Sequence, residues 1–174
     1  MDRVQHFDND GKIIRESGVG PAILYYCKYQ ERCHWEVKNK LFEFGCGKDQ
    51  AEEHISRLIE QGVLNEERFA KAYAGGKFRM SHWGREKIKQ QLKFRKISDY
   101  CIKKGLAEID TDDYEKMLEK LTDKKLVELK SERNQLIKGR KAYKYLVQKG
   151  FERDMVIEII NSKLKSNTDK SIFP

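Results

Sequence analysis

The chain has 174 residues, a formal net charge of +8, 39% hydrophobic residues and 37% charged residues. So much charge leaves apolar material for several small cores between thin helical layers, not for one thick interior. No apolar run approaches the roughly 20 residues that span a bilayer, and Met1-Asp2-Arg3-Val4-Gln5-His6 lacks the apolar stretch of a signal peptide, so a cytoplasmic protein with no membrane partner is expected.

Residues 1–20 carry Asp8, Asn9, Asp10, Gly11, Gly18 and Gly20 around the pair Ile13-Ile14, the composition of a flexible lead-in. The only prolines, Pro21 and Pro174, fall outside the periodic segments, so the strongest helix breaker is absent from the body of the chain. The first helices are expected over 22–33, 34–44 and 49–61. In the last of these Ala51, Ile55, Leu58 and Ile59 lie at i, i+4, i+7 and i+8, Asp49 and Glu52 have the spacing of a capping box, and Gly62 ends it. Helices at 65–77, 82–96 and 99–106 follow. The last group spans 112–133, 134–149 and 152–165. There Tyr114, Met117, Leu118 and Leu121 share a face behind Thr111, Asp112 and Asp113, and Val156, Ile160 and Leu164 recur at i+4.

Three i, i+4 pairs, Val37/Leu41, Ile88/Leu92 and Ala142/Leu146, reveal a weak internal repeat. The leucines recur after 51 and then 54 residues, and each is followed by a break: Gly45, the Lys96-Ile97-Ser98 corner, and Gly150. An all-α fold of three tandem three-helix repeats is therefore expected, with a lead-in at 1–20, repeats at 21–63, 64–108 and 109–165, and a tail at 166–174. Units of this size bury little alone, so they stack into an elongated array.

Chemistry-bearing patterns are scarce. Cys27, Cys33, Cys46 and Cys101 form no C-x2-C pair and are expected as buried free thiols without a metal. His6, His34, His54 and His82 are isolated, and neither a phosphate-binding loop nor a nucleophile elbow is found. No catalytic residue, no cofactor and no enzymatic activity are expected.

The charge is concentrated. From Lys77 to Lys96 there are eight basic residues, Lys77, Arg79, Arg85, Lys87, Lys89, Lys93, Arg95 and Lys96, against the single acid Glu86, a net +7. On a regular helix Arg85, Lys89, Lys93 and Lys96 form a stripe beside the Ile88/Leu92 seam, whereas Arg95 projects toward Leu92. A face kept basic only for solubility mixes signs, because like charges at i, i+4 repel. An anionic partner therefore explains this one better. A second cluster, Lys138, Arg140, Lys141, Lys144 and Lys149, contains no acid. For it a solvated face and a binding role both stay open. Trp83 and Phe94 could stack on bases, but Trp35 holds a comparable place in the first repeat, and packing is the expected role.

Four segments carry a family resemblance. They are Arg32-Cys33-His34-Trp35-Glu36-Val37-Lys38-Asn39-Lys40-Leu41; Leu58-Ile59-Glu60-Gln61-Gly62-Val63-Leu64-Asn65-Glu66-Glu67-Arg68-Phe69-Ala70; Gly84-Arg85-Glu86-Lys87-Ile88 with Leu92; and Tyr145-Leu146-Val147-Gln148-Lys149-Gly150-Phe151. Over roughly residues 22–163 the chain resembles the RecX family of recombination regulators. It departs from the family pattern at Cys33-His34, where Arg-Ser is usual, at Asn65-Glu66, which replaces an acidic pair, and at Lys96-Ile97, which lacks the usual glycine. The resemblance implies three tandem three-helix repeats in a curved monomer that seats in the groove of a RecA filament on single- or double-stranded DNA and inhibits it. The residues expected at that interface are Lys77, Arg79, Arg85, Lys87, Lys89, Lys93, Lys96, Lys138, Arg140, Lys141 and Lys144. A helical nucleic-acid-binding protein acting without a recombinase is the alternative.

Overall fold

The computed structural model describes residues 16–164; the expected tail at 166–174 and all but the end of the lead-in lie outside them. The described residues form nine helices and no strand: α1 (Glu16–Tyr29), α2 (His34–Glu43), α3 (Lys48–Glu60), α4 (Glu66–Ser81), α5 (Arg85–Phe94), α6 (Asp99–Leu106), α7 (Thr111–Glu128), α8 (Gln135–Lys149) and α9 (Arg153–Leu164). The all-α expectation holds.

Several boundaries move, each for a local reason. α1 begins at Glu16 and contains Pro21, contrary to the expectation that this proline lies outside a helix. As the sixth residue it lies beyond the first four amides, so its missing N–H removes one intrahelical bond, and burial of the seam Val19, Ile23, Cys27 at i+4 steps offsets that loss. α1 stops at Tyr29, not at 33, because Cys33 adopts extended backbone (φ −93°, ψ 164°) as the N-cap of α2. α4 runs one turn beyond 77, carried by the buried Ala70, Ala74 and Phe78, and ends at His82 in the left-handed region. The first turn of α3 is held by Gly47 N–H donating to Gln50 Oε1 at 3.0 Å, so the Asp49/Glu52 capping reading is displaced by two residues.

The helices pack in threes: α2 against α1 and α3, α4 against α5 and α6, α8 against α7 and α9. The repeat signal lies at the centre of this arrangement, for Val37, Leu41, Ile88, Leu92, Ala142 and Leu146 all have 0% exposure. One or two residues after each of these middle helices the backbone takes a left-handed conformation: Gly45 (φ 83°), Lys96 (φ 60°) and Gly150 (φ 92°). Glycine meets that need twice. At the third position a lysine carries the Cβ strain.

The core has two parts. Val19, Ile23, Val37, Leu41, Ala51 and Leu58 fill the first triad, while a second cluster runs without a break through α4–α9 and takes in Cys33. What makes it continuous is a joint at which the N-terminus of α5 meets the C-terminus of α8. Gly84 N–H donates to Lys149 O (2.8 Å) and Glu86 N–H to Gly150 O (3.0 Å). Amides and carbonyls that neither helix can satisfy internally satisfy each other. Two glycines permit the approach: a Cβ on Gly84 would lie 2.2 Å from the Gly150 carbonyl carbon, and one on Gly150 would lie 2.3 Å from Lys87 Cβ.

Beneath the joint, Tyr114 is fully buried and packs against Phe78 and Phe151, with ring centroids 5.8 and 5.1 Å away. Its phenol oxygen accepts the Arg85 N–H (3.0 Å) and its proton goes to Glu152 Oε2 (2.5 Å). Burial, and then the bond to Glu152, hold the phenol far above its usual titration range.

Two sets of measurements test this packing. In urea denaturation Leu92→Ala should cost about 2 to 4 kcal/mol, whereas Lys96→Gly should stabilise by about 0.5 to 1 kcal/mol, with relief of left-handed strain exceeding the extra freedom of the unfolded chain. Tyr114→Phe should cost about 1 to 3 kcal/mol at pH 7, because it leaves Glu152 and the Arg85 amide without their shared partner. The folded chain keeps a phenol proton that the unfolded chain releases above about pH 10, so wild-type stability falls as pH rises past that point, by up to ~1.4 kcal/mol per unit from this group. A pH series of melts should show the Phe variant falling less steeply there. Cys27 and Cys33, pushed up to about 11 by burial, add a decline of the same sign in both proteins.

Candidate functional site

The expected basic face is sorted by the structure into three kinds of side chain. Some cations are drawn into packing. Arg85 lies 4.1 Å over the Tyr114 ring and donates to Ile109 O at 3.3 Å, so the first member of the expected stripe is turned into the contact between the second and third repeats. The stripe also loses its last member as a helical position, since α5 ends at Phe94 and Lys96 follows in left-handed geometry. Its periodicity therefore describes Lys89 and Lys93 but not the ends. Arg95 projects away from it as expected, with Nε 3.3 Å from Glu36 Oε1 and its guanidinium 5.0 Å from the Tyr73 ring.

A second kind is neutralised by an acid. Lys93 lies 3.4 Å from Asp99, and Lys141 lies 2.8 Å from Glu132, so the second cluster is less uniform than its own helix implies. Lys141, together with the Asn134 N–H, holds the Glu132 carboxyl below the usual carboxylate range. The acid comes from the α7–α8 connection, which a reading of α8 alone misses.

The third kind has no carboxylate partner among the described residues: Lys77, Arg79, Lys87, Lys89, Lys96, Lys138, Arg140, Lys144 and Lys149. Three of these converge where the second and third repeats meet. Lys87 Nζ lies 4.5 Å from the Trp83 ring centroid and donates to Gln148 O at 3.4 Å, across the joint. In the opposite sense Lys149 Nζ reaches from α8 to Ser81 O at 3.3 Å. Lys77 stands 5.2 Å from Trp83 and 5.5 Å from Tyr73. Trp83 is thus flanked by cations. Phe94 is 67% exposed with its ring 5.7 Å from Trp35, edge to face, so an aromatic pair ties α2 to the end of α5.

The contact between the first and second repeats uses side chains. Besides Arg95 and Glu36, it holds His34 with Glu66 (3.3 Å) and Arg68 with Glu31 (2.6 Å), and Arg68 also donates to Gly62 O (3.0 Å) and Val63 O (2.8 Å). The cysteines are free, with Cys27 and Cys33 buried, and the described residues hold no group of three or more His, Cys, Asp or Glu placed to bind a metal ion. No helix among them is long and apolar enough to cross a membrane.

Comparison with known proteins gives one consistent picture. A family model for the RecX second three-helix domain matches residues 65–106, which contain α4–α6. The chain is 32% identical over 126 residues to the regulatory protein RecX of Clostridium perfringens strain 13, covering 72% of this chain and 58% of that one. It is 25% identical over 147 residues to that of Streptococcus uberis, covering 84% and 55%. The chain thus spans little more than half the length of these curated relatives. The crystal structure of RecX from Lactobacillus salivarius superposes with a TM-score of 0.75 at 27% identity, covering 86% of this chain and 96% of that one. With the fold, the middle-repeat model and named relatives in agreement with the four sequence motifs, the chain is similar to RecX proteins over most of its length, and those relatives are named as regulatory proteins.

Proposed function

We propose that the chain is a cytoplasmic, non-enzymatic regulator that binds the RecA filament on DNA as a monomer and restrains it. The observation that carries this reading is the set of cations without carboxylate partners among the described residues on the second and third repeats, Arg79, Lys89, Lys96, Lys138, Arg140 and Lys144, in two stretches, 77–96 and 135–149, whose only acid is Glu86. Like charges held close on one helix cost stability, and an anionic surface recovers that cost on docking. The recombinase as target comes from the family resemblance. Three tandem repeats, over 21–63, 64–108 and 109–165, make an elongated, curved body that can lie along a helical groove, and attraction at range speeds encounter.

The test is a RecA ATPase and strand-exchange assay with and without the protein. Lys89, Lys96, Arg140 and Lys144 are each reversed to glutamate, alone and together. Arg85 is left in place, because its side chain supports Tyr114. Single reversals should weaken inhibition a few-fold and the quadruple change by more than tenfold, with helicity retained. Inhibition by the wild type should fall steeply as salt rises. A folded quadruple variant that inhibits at the wild-type concentration in low salt defeats the reading. Binding to single-stranded DNA that RecA and ATP leave unchanged points instead to a nucleic-acid-binding protein that needs no recombinase.

A further inference from the structure

Lys77 and Lys87, from α4 and α5, flank Trp83, and Lys149 reaches from α8 to Ser81 O, two residues before that indole, with its ammonium 6.0 Å from the Tyr145 ring; none of the three has a carboxylate partner among the described residues. We propose that they form a phosphate-binding site that takes the backbone of a single nucleic-acid strand across the joint between the second and third repeats. This deepens the function proposed above and rests on its anionic partner, but it concerns binding by the free protein.

Geometry supports it in three ways. The distances to the ring put the Lys77 and Lys87 ammonium groups closer together than the ~10 Å Debye length at 0.1 M salt, so an anion there feels both. An ammonium has three donors. Lys87 and Lys149 each use one, on Gln148 O and Ser81 O, so both keep donors for a ligand. Helix-end capping accounts for those two bonds but not for Lys77, which lies against aromatic rings. A strand fits better than an acidic protein surface because Trp83 and Tyr73 lie beside the cations, and cations interleaved with aromatic faces are how proteins follow a single strand without reading its sequence.

The site exists only while the joint is closed. Lys87 reaches from the second repeat to the end of α8, and Lys149 reaches from the third repeat to the end of α4. A bound strand therefore holds the two repeats together, and an opened joint loses the site.

The experiment uses the full chain with Trp35→Phe, which leaves Trp83 as the only indole, and titrates it with a twelve-residue oligothymidylate at low salt without a recombinase. Trp83 emission should change and saturate. The triple variant Lys77→Gln/Lys87→Gln/Lys149→Gln should bind at least tenfold more weakly, and the slope of log affinity against log salt should drop by about 2, as expected for three lost single-strand phosphate contacts. Lys77→Gln breaks no hydrogen bond to the backbone and serves as the variant that folds regardless; it should bind a few-fold more weakly, while Lys77→Arg should bind like the parent. Unchanged oligonucleotide affinity in the folded variants overturns the site and leaves helix capping. An equal response to polyglutamate of the same charge also overturns it, and assigns the lysines to an acidic protein surface. Loss of this site is separable from loss of the filament reading: a parent chain that ignores the oligonucleotide yet restrains RecA ends this inference alone, and one that binds it yet leaves RecA untouched ends only the other.

Discussion

Helix ends are expensive to bury, because four amides at one terminus and four carbonyls at the other lack intrahelical partners. This chain solves that problem at its most central contact by setting the start of α5 against the finish of α8, so that Gly84 and Glu86 N–H groups bond to the Lys149 and Gly150 carbonyls. The partial positive end of one helix faces the partial negative end of the other. Nothing larger than hydrogen fits on either glycine at this distance. Because the backbones meet directly, Tyr114 and Phe151 close the space beneath, and one core continues from α4 to α9. The placement of Lys87, Lys149 and Trp83 follows from that contact.

The contact between the first and second repeats shows what happens without the glycines. Cys33 is the N-cap of α2 as Gly84 is of α5, and Lys96 follows α5 in left-handed geometry as Gly150 follows α8. Among the described residues no backbone hydrogen bond joins these two helix ends. Arg95 with Glu36, Arg68 with Glu31 and the Trp35–Phe94 pair take over. Partly exposed ion pairs weaken with salt, whereas buried backbone bonds scarcely respond. The two contacts in one array therefore differ in their sensitivity to ionic strength.

The apolar seam was legible in the sequence because Val37, Leu41, Ile88, Leu92, Ala142 and Leu146 obey a local rule, and so were the breaks at Gly45, Lys96 and Gly150. The segments around Gly84 and around Gly150-Phe151 also stood out, though as separate strings; that they are the two sides of one joint is a non-local fact with no local signal. The same limit explains the misplaced side chains. Helical phase put Arg85 beside Lys89, but the Tyr114 ring, nearly thirty residues away, draws it inward. Lys141 looked unpaired on α8 because Glu132 belongs to the preceding connection. Pro21 was read by its intrinsic dislike of helices, and burial of Val19, Ile23 and Cys27 prevails over that preference.

Charge in the third repeat is distributed unevenly among its helices. The groove between α7 and α9 is lined by Asp112, Glu115, Glu119 and Glu158 together with Lys116 and Lys163, and Lys163 is bonded there to Glu119 (2.7 Å) and Asp123 (3.0 Å). Lys138, Arg140, Lys141 and Lys144 lie on α8, which carries no acid, whereas α7 and α9 carry both signs. Acids on α8 would have gained ion pairs along that helix. Their absence forgoes those pairs and makes α8 the most positive helix of the repeat, which orients the molecule in the field of a charged partner before any contact forms. An anionic partner would then meet the α8 side first. Like-charge crowding on α8 is the stability cost of that orientation, and the apolar seam through Ala142 and Leu146, fully buried, is what lets the helix bear it.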